Sequence, residues 1–292
     1  MFSRIILFSS VLVAAATLLA GCGADAGDST DRAIVAGFYP LAFAAEQIAA
    51  AGTDVQNLTP AGAEPHDLEL TPGDVRAVDD AALVLYLGEG FMPGLETAVE
   101  QREGRSLDLL ADQELNPGRD EDGEIVSDPH VWLDPVRYAA TARAIGAELG
   151  NGAAGERLVG KLERLDAEFR RGLATCERRE IVTSHAAFGY LAARYDLEQV
   201  PLEGLSPEAE PSARGIADLV DLVETSGATT VFFETLVSPK LAQTVAREAG
   251  VETAVLNPLE GLTDDELAAG EDYFTVMRSN LSALQKALGC QM

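Results

Sequence analysis

The chain has 292 residues, 47% of them hydrophobic, with 48 acidic against 21 basic side chains and a net charge of −27. So acidic a surface repels the phosphates of nucleic acid, which argues against that class of partner. It gathers cations instead, although the same carboxylates also serve solubility. Once the N-terminal segment is set aside, about 260 residues of this composition can fill two cores, so two domains are expected.

In chain order, Arg4 precedes an uninterrupted apolar and small-residue run from Ile5 to Ala20. That run falls short of the about 20 residues that span a bilayer and fits the apolar region of a signal peptide. It ends in Leu19-Ala20-Gly21-Cys22, which looks like a lipobox. Residues 1–21 are therefore expected to be a lipoprotein signal, with Cys22 acylated and residues 22–32 a flexible tether. The mature protein would be extracytoplasmic and lipid-anchored to the cell membrane.

Strands are expected at Ala33–Gly37, Val55–Thr59, Leu83–Leu87, Glu180–Thr183, Glu198–Leu202, Thr230–Glu234 and Thr253–Leu256. Between them Thr71-Pro72, Asp134-Pro135 and Ser238-Pro239 each pair an N-cap residue with proline at the first helical position. Thr263-Asp264-Asp265-Glu266 reads as a capping box. It should open one final helix with Leu267, Phe274, Met277, Leu281, Leu284 and Leu288 on a single stripe. Alternation of this kind means an α/β chain with mainly parallel sheets. Val136 to Thr175 has helical periodicity only, broken at Gly150-Asn151-Gly152, and its second half predicts a stiff spine. Leu115–Asp128, acidic and containing Pro and Gly, reads as an exposed loop. The expected division is an N-terminal lobe at 33–135, a linking helical segment at 136–175 and a C-terminal lobe at 176–292.

The chain has three histidines in all. His66 follows one strand, His185 follows another, and His130 precedes a capped helix, so each falls at the rim of a lobe. Ligands of open α/β sheets bind outside the carboxyl ends of strands. Neutral imidazole is the commonest zinc ligand, so three from distant segments suggest one metal site in an interlobe cleft. A fourth ligand is sought after the last strand, in Asn257-Pro258-Leu259-Glu260-Gly261. The neutral amide of Asn257 is a poor ligand; Glu260 is favoured, with water or Asp67 as alternatives. Asp134 is an N-cap first and a residue behind the ligands second. Trp132, the only tryptophan, reads as a buried wall of the cleft. Cys176 and Cys290 lie far from the histidine motifs and are expected to form a disulfide in an oxidising compartment.

The lipobox, Pro65-His66-Asp67, Asp128-Pro129-His130-Val131-Trp132-Leu133-Asp134-Pro135, Ser184-His185-Ala186-Ala187-Phe188-Gly189-Tyr190, Ser206–Ser212 and Phe233-Glu234-Thr235 occur in this order. Together they resemble the zinc/manganese-type substrate-binding lipoproteins of bacterial ABC importers, in their zinc-binding subgroup, over the whole mature chain. The resemblance implies two α/β lobes joined by one rigid helix, with His66, His130, His185 and Glu260 as ligands. Asp67, Asp134 and Glu234 are expected behind these ligands. The resemblance also implies an ABC permease as partner, a monomer, no enzymatic activity and, in some relatives, a role in adhesion. Two departures stand out: Leu115–Asp128 lacks the histidines of many zinc members, and Asn257 replaces an aspartate common among relatives. Three imidazoles with one carboxylate suit tetrahedral Zn²⁺, whereas manganese prefers more oxygen ligands. The competing class is a zinc hydrolase, which would keep an open position for water.

Overall fold

The computed structural model describes residues 33–120, 124–206 and 213–291; the signal segment, Cys22 and the tether lie outside them. The chain begins β1 (Ile34–Ala36), α1 (Tyr39–Ile48), β2 (Val55–Asn57), α2 (Pro72–Asp80), β3 (Leu83–Tyr86), α3 (Pro93–Gln101) and β4 (Ser106–Asp108). These strands form a parallel sheet in the order β2-β1-β3-β4. Covered by helices, β1 is buried along its whole length, as a parallel strand requires.

An antiparallel pair, β5 (Pro117–Arg119) with β6 (Ile125–Ser127), comes next. Two helices, α4 (Pro135–Glu148) and α5 (Gly152–Gly172), then lead to the second half. There β7 (Glu180–Thr183), α6 (Gly189–Arg194), β8 (Glu198–Pro201), α7 (Ala213–Ser226), β9 (Thr230–Phe233), α8 (Lys240–Ala249) and β10 (Glu252–Val255) build a second parallel sheet, in the order β10-β9-β7-β8. The chain closes with α9 (Asp264–Ala268) and α10 (Tyr273–Leu288). The architecture is thus α/β with mainly parallel sheets, one in each half.

The 21-residue α5 explains its role as a spine through its sequence. Leu158, Leu162, Leu165 and Phe169 recur at helical spacing and are buried. They face α1 of the first half, α10 of the second, and α4 alongside. Gly155 permits the close approach to α4: a Cβ there would stand 3.0 Å from the Ala142 carbonyl oxygen. One apolar core runs through both halves, from Ile34 to Leu288. A second core, around Val182, Val223, Val231 and Val245, belongs to the second sheet alone.

Four expectations need correction. Strand β4 joins the first sheet beyond the expected strands; its Ser106–Asp108 is short and only half-buried, and carries no strand signal. Leu115–Asp128 holds the β5–β6 hairpin, and its last residue, Asp128, is buried. Ser238-Pro239 does not cap α8, which starts at Lys240 without a side-chain cap. The single final helix is two. Thr263 and Glu266 make their capping box, but Gly270 turns left-handed at φ +78° and Asp272 starts α10 with a box of its own. Leu267 accordingly sits outside the stripe, 47% exposed.

The Cys176–Cys290 disulfide is present. No helix among the described residues is long and apolar enough to cross a membrane.

Candidate metal centre

Each of the four candidate ligands is delivered by the end of an element. His66 lies on the loop between β2 and α2, where the capping box of Thr71 and Asp74 fixes the exit. His130 precedes a single 3₁₀ turn, Val131–Leu133, that leads into α4. His185 follows β7, and Glu260 lies beyond β10. His130, His185 and Glu260 are fully buried, and the His66 side chain is 7% exposed.

The four groups offer ligand atoms that all lie within 4.8 Å of one another. Glu260 Oε1 stands 3.1 Å from His130 Nε2, 3.3 Å from His185 Nε2 and 3.5 Å from His66 Nε2. Glu260 Oε2 and His66 Nε2 are buried with no hydrogen-bond partner. The other ring nitrogens are occupied. Asp128 Oδ1 lies 2.8 Å from His130 Nδ1 and also accepts the His130 backbone N–H. Glu234 Oε1 lies 2.6 Å from His185 Nδ1 and accepts from the Ser184 hydroxyl. Ser206 Oγ sits 3.4 Å from His66 Nδ1. An Nδ1–H donated to a carboxylate leaves the Nε2 lone pair free to bind a metal.

Electrostatics follow the same geometry. Burial depresses His130, yet its bonds to Asp128 and Glu260 outweigh this and raise it above the ordinary imidazole value. His185 is likewise opposed by burial but lifted well above that value by Glu234 and Glu260. His66 is lowered, chiefly by burial. Glu260, resisted by burial, is held well below the usual carboxylate range by His185 and His130. Glu64 is pushed up to about 9, by burial first and the Glu260 charge second.

The remaining sequence-derived candidates separate. Glu234 stands behind His185, against its Nδ1. Asp67 is exposed and outside the cluster. Asp134 does not reach an imidazole, because the 3₁₀ turn directs it toward α6. There it caps α4 through Val136 N–H and receives Arg194 in a forked pair at 2.6–2.9 Å. Trp132 walls the site from His130, its ring centroid 5.1 Å away, and donates its indole N–H to Pro258 O. Asp128 and Phe91, whose ring lies 4.6 Å from His66 edge-on, were not read from sequence. The Asp-Pro-His spacing was the available signal for Asp128; Phe91 has none.

Two parallel α/β halves joined by a helical spine, with buried imidazoles and a carboxylate facing one another, define a two-lobed binding protein suited to a divalent cation. The chain belongs to the family of the zinc-uptake complex component A, periplasmic (ZnuA), whose model matches residues 34–287.

Relatives include the zinc-binding lipoprotein AdcA of Streptococcus pneumoniae, 37% identical over 278 residues, 87% of this chain and 55% of that protein. The chain therefore spans about half the length of the AdcA relatives it matches. The high-affinity zinc uptake system protein ZnuA of Bacillus subtilis is 35% identical, covering 95% of this chain and 96% of its own. The Zn(II)-bound ZnuA-like domain of Streptococcus pneumoniae AdcA superposes with a TM-score of 0.75 at 37% identity, over 87% of this chain and 98% of that one. The laminin-binding protein Lmb of Streptococcus agalactiae, a bifunctional protein with adhesin and metal-transporting activity, gives 0.78 at 27% identity, over 88% of this chain and 99% of that one.

Proposed function

We propose that this chain is an extracytoplasmic zinc-binding protein that delivers Zn²⁺ to an ABC importer, with His66, His130, His185 and Glu260 as the ligands. One observation carries the reading: three Nε2 atoms and a carboxylate oxygen converge in a buried space. With Nδ1 committed to Asp128 and Glu234, neutral rings would aim lone pairs at an acceptor, an arrangement that requires protons or a cation between them. Three nitrogens and one oxygen match tetrahedral zinc better than manganese. Four protein ligands leave no open position for an activated water, which favours carriage over hydrolysis. The zinc-uptake relatives support a permease as partner. The Leu19-Ala20-Gly21-Cys22 motif supports a lipid anchor at Cys22 on the outer face of the membrane. We divide the mature chain into lobes at 33–135 and 176–292 around the 136–175 link, and take it as a monomer.

Protein purified without added metal and titrated with zinc in competition with a chelator should bind one Zn²⁺ per chain. His66→Ala, His130→Ala and His185→Ala should each weaken it by more than the roughly 100-fold reached by residues that only support a ligand. Wild-type affinity in any of the three would remove that residue from the ligand set.

A further inference from the structure

Beside the metal cluster lies a polar network that no ligand assignment uses. Asn280, on α10 and 2% exposed, grips the backbone of Asn257 on both sides. Its Oδ1 accepts the Asn257 N–H at 2.9 Å, and its Nδ2 donates to the Asn257 carbonyl at 2.7 Å. A side-chain amide that satisfies both backbone groups of one residue fixes that peptide in place and in direction.

Asn257 continues the chain of restraint. Its Oδ1 accepts the Leu259 N–H at 2.7 Å, while its Nδ2 donates to Thr235 Oγ1 at 3.0 Å and Glu266 Oε1 at 3.1 Å. Leu259 is forced to φ +59°, a left-handed conformation costly for a branched side chain. Such a conformation persists where the surroundings over-determine it. The next residue is Glu260.

We infer that Asn280 is a positioning residue for zinc binding: through Asn257 it holds the strained turn that aims the Glu260 carboxylate into the cluster. The same network explains why asparagine, not aspartate, occupies position 257. Both amide hydrogens are given to acceptors, so an aspartate would lose the bond to Glu266 and face it with like charge. Position 257 shapes the site; it does not bind the ion.

The inference rests on Glu260 being a ligand, and a double-mutant cycle separates the two claims. Zinc affinity is measured for Asn280→Leu, Glu260→Ala and the double variant, with the visible spectrum of the Co²⁺-loaded protein as a second readout. Asn280→Leu should weaken zinc about 10- to 100-fold and alter the Co²⁺ bands, and should cost nothing further in the Glu260→Ala background. Additive losses, or wild-type affinity and spectrum for Asn280→Leu while Glu260→Ala is weakened, would overturn the positioning role. Wild-type affinity in Glu260→Ala would instead overturn the ligand reading beneath it. Should Asn280→Leu fail to fold, Asn257→Asp decides: weaker zinc binding supports the network, and equal or tighter binding, with the new carboxylate as a ligand, overturns it.

Discussion

At the scale of residues, the decisive fact is that the imidazoles are not alone. Ordinary histidines would set up a simple competition, with zinc lost below about pH 6 as they protonate. The carboxylates move that window. His185 is held well above the ordinary value by Glu234 and Glu260, and His130 is raised as well. Zinc must therefore displace protons from the cluster at higher pH than ordinary imidazoles would require. Calorimetry in two buffers of different ionisation enthalpy should detect their release, and zero protons released would contradict the geometry.

The sign for stability runs the other way in the metal-free protein. A raised histidine contributes stability fully present below about pH 6.5 and lost as pH climbs through its folded value. The depressed Glu260 contributes stability present above about pH 4.5 and lost as pH falls through its folded value. Metal-free protein thus gains most from the cluster between these limits, while zinc binding strengthens with rising pH. The melting-temperature gain from a fixed excess of zinc should grow from pH 6 to pH 8. A flat or falling gain would count against the three-imidazole site.

At the scale of elements, helix ends hold the halves together. Asp134 is the clearest case: it caps α4 and takes the guanidinium of Arg194 from α6, so it acts on packing and not on the metal. Asp134→Ala removes a cap, worth about 0.5–2 kcal/mol, and leaves Arg194 without its carboxylate. Thermal denaturation should show a loss of about 1–3 kcal/mol, with zinc still bound at one per chain. Abolished zinc binding in a folded Asp134→Ala protein would place Asp134 closer to the site than its bonds indicate.

Across the whole molecule, the Cys176–Cys290 bond ties the entry of the second half to the end of α10, 114 residues later. Closing so long a loop restrains the unfolded chain, with native disulfides typically contributing about 2–4 kcal/mol. Cys176→Ser with Cys290→Ser should lower the melting temperature by that equivalent. Zinc should remain bound at one per chain, because neither cysteine touches the ligands. Saturating zinc should restore part of the loss by mass action. A double variant as stable as wild type would show that the other contacts of α10 suffice.

Much of this was legible in the chain itself. Seven strands, the caps at Thr71, Asp134 and Thr263, the amphipathic spine and the disulfide are local or compositional facts. They are written in spacings of two to four residues or in the scarcity of a residue type. Three histidines, each at the rim of an element, sufficed to suggest one site. Only the tertiary structure decided what stands behind them. Glu260 meets His130 across 130 residues, and Glu234 meets His185 across 49. Asn280 reaches Asn257 across 23. No periodicity encodes such meetings, since packing of both halves on one spine brings them about. The same packing sent Asp134 to Arg194, left Asp67 in solvent and buried Asp128 at the foot of a hairpin. A side chain's residue type states what it can bind; burial and neighbours state what it does bind.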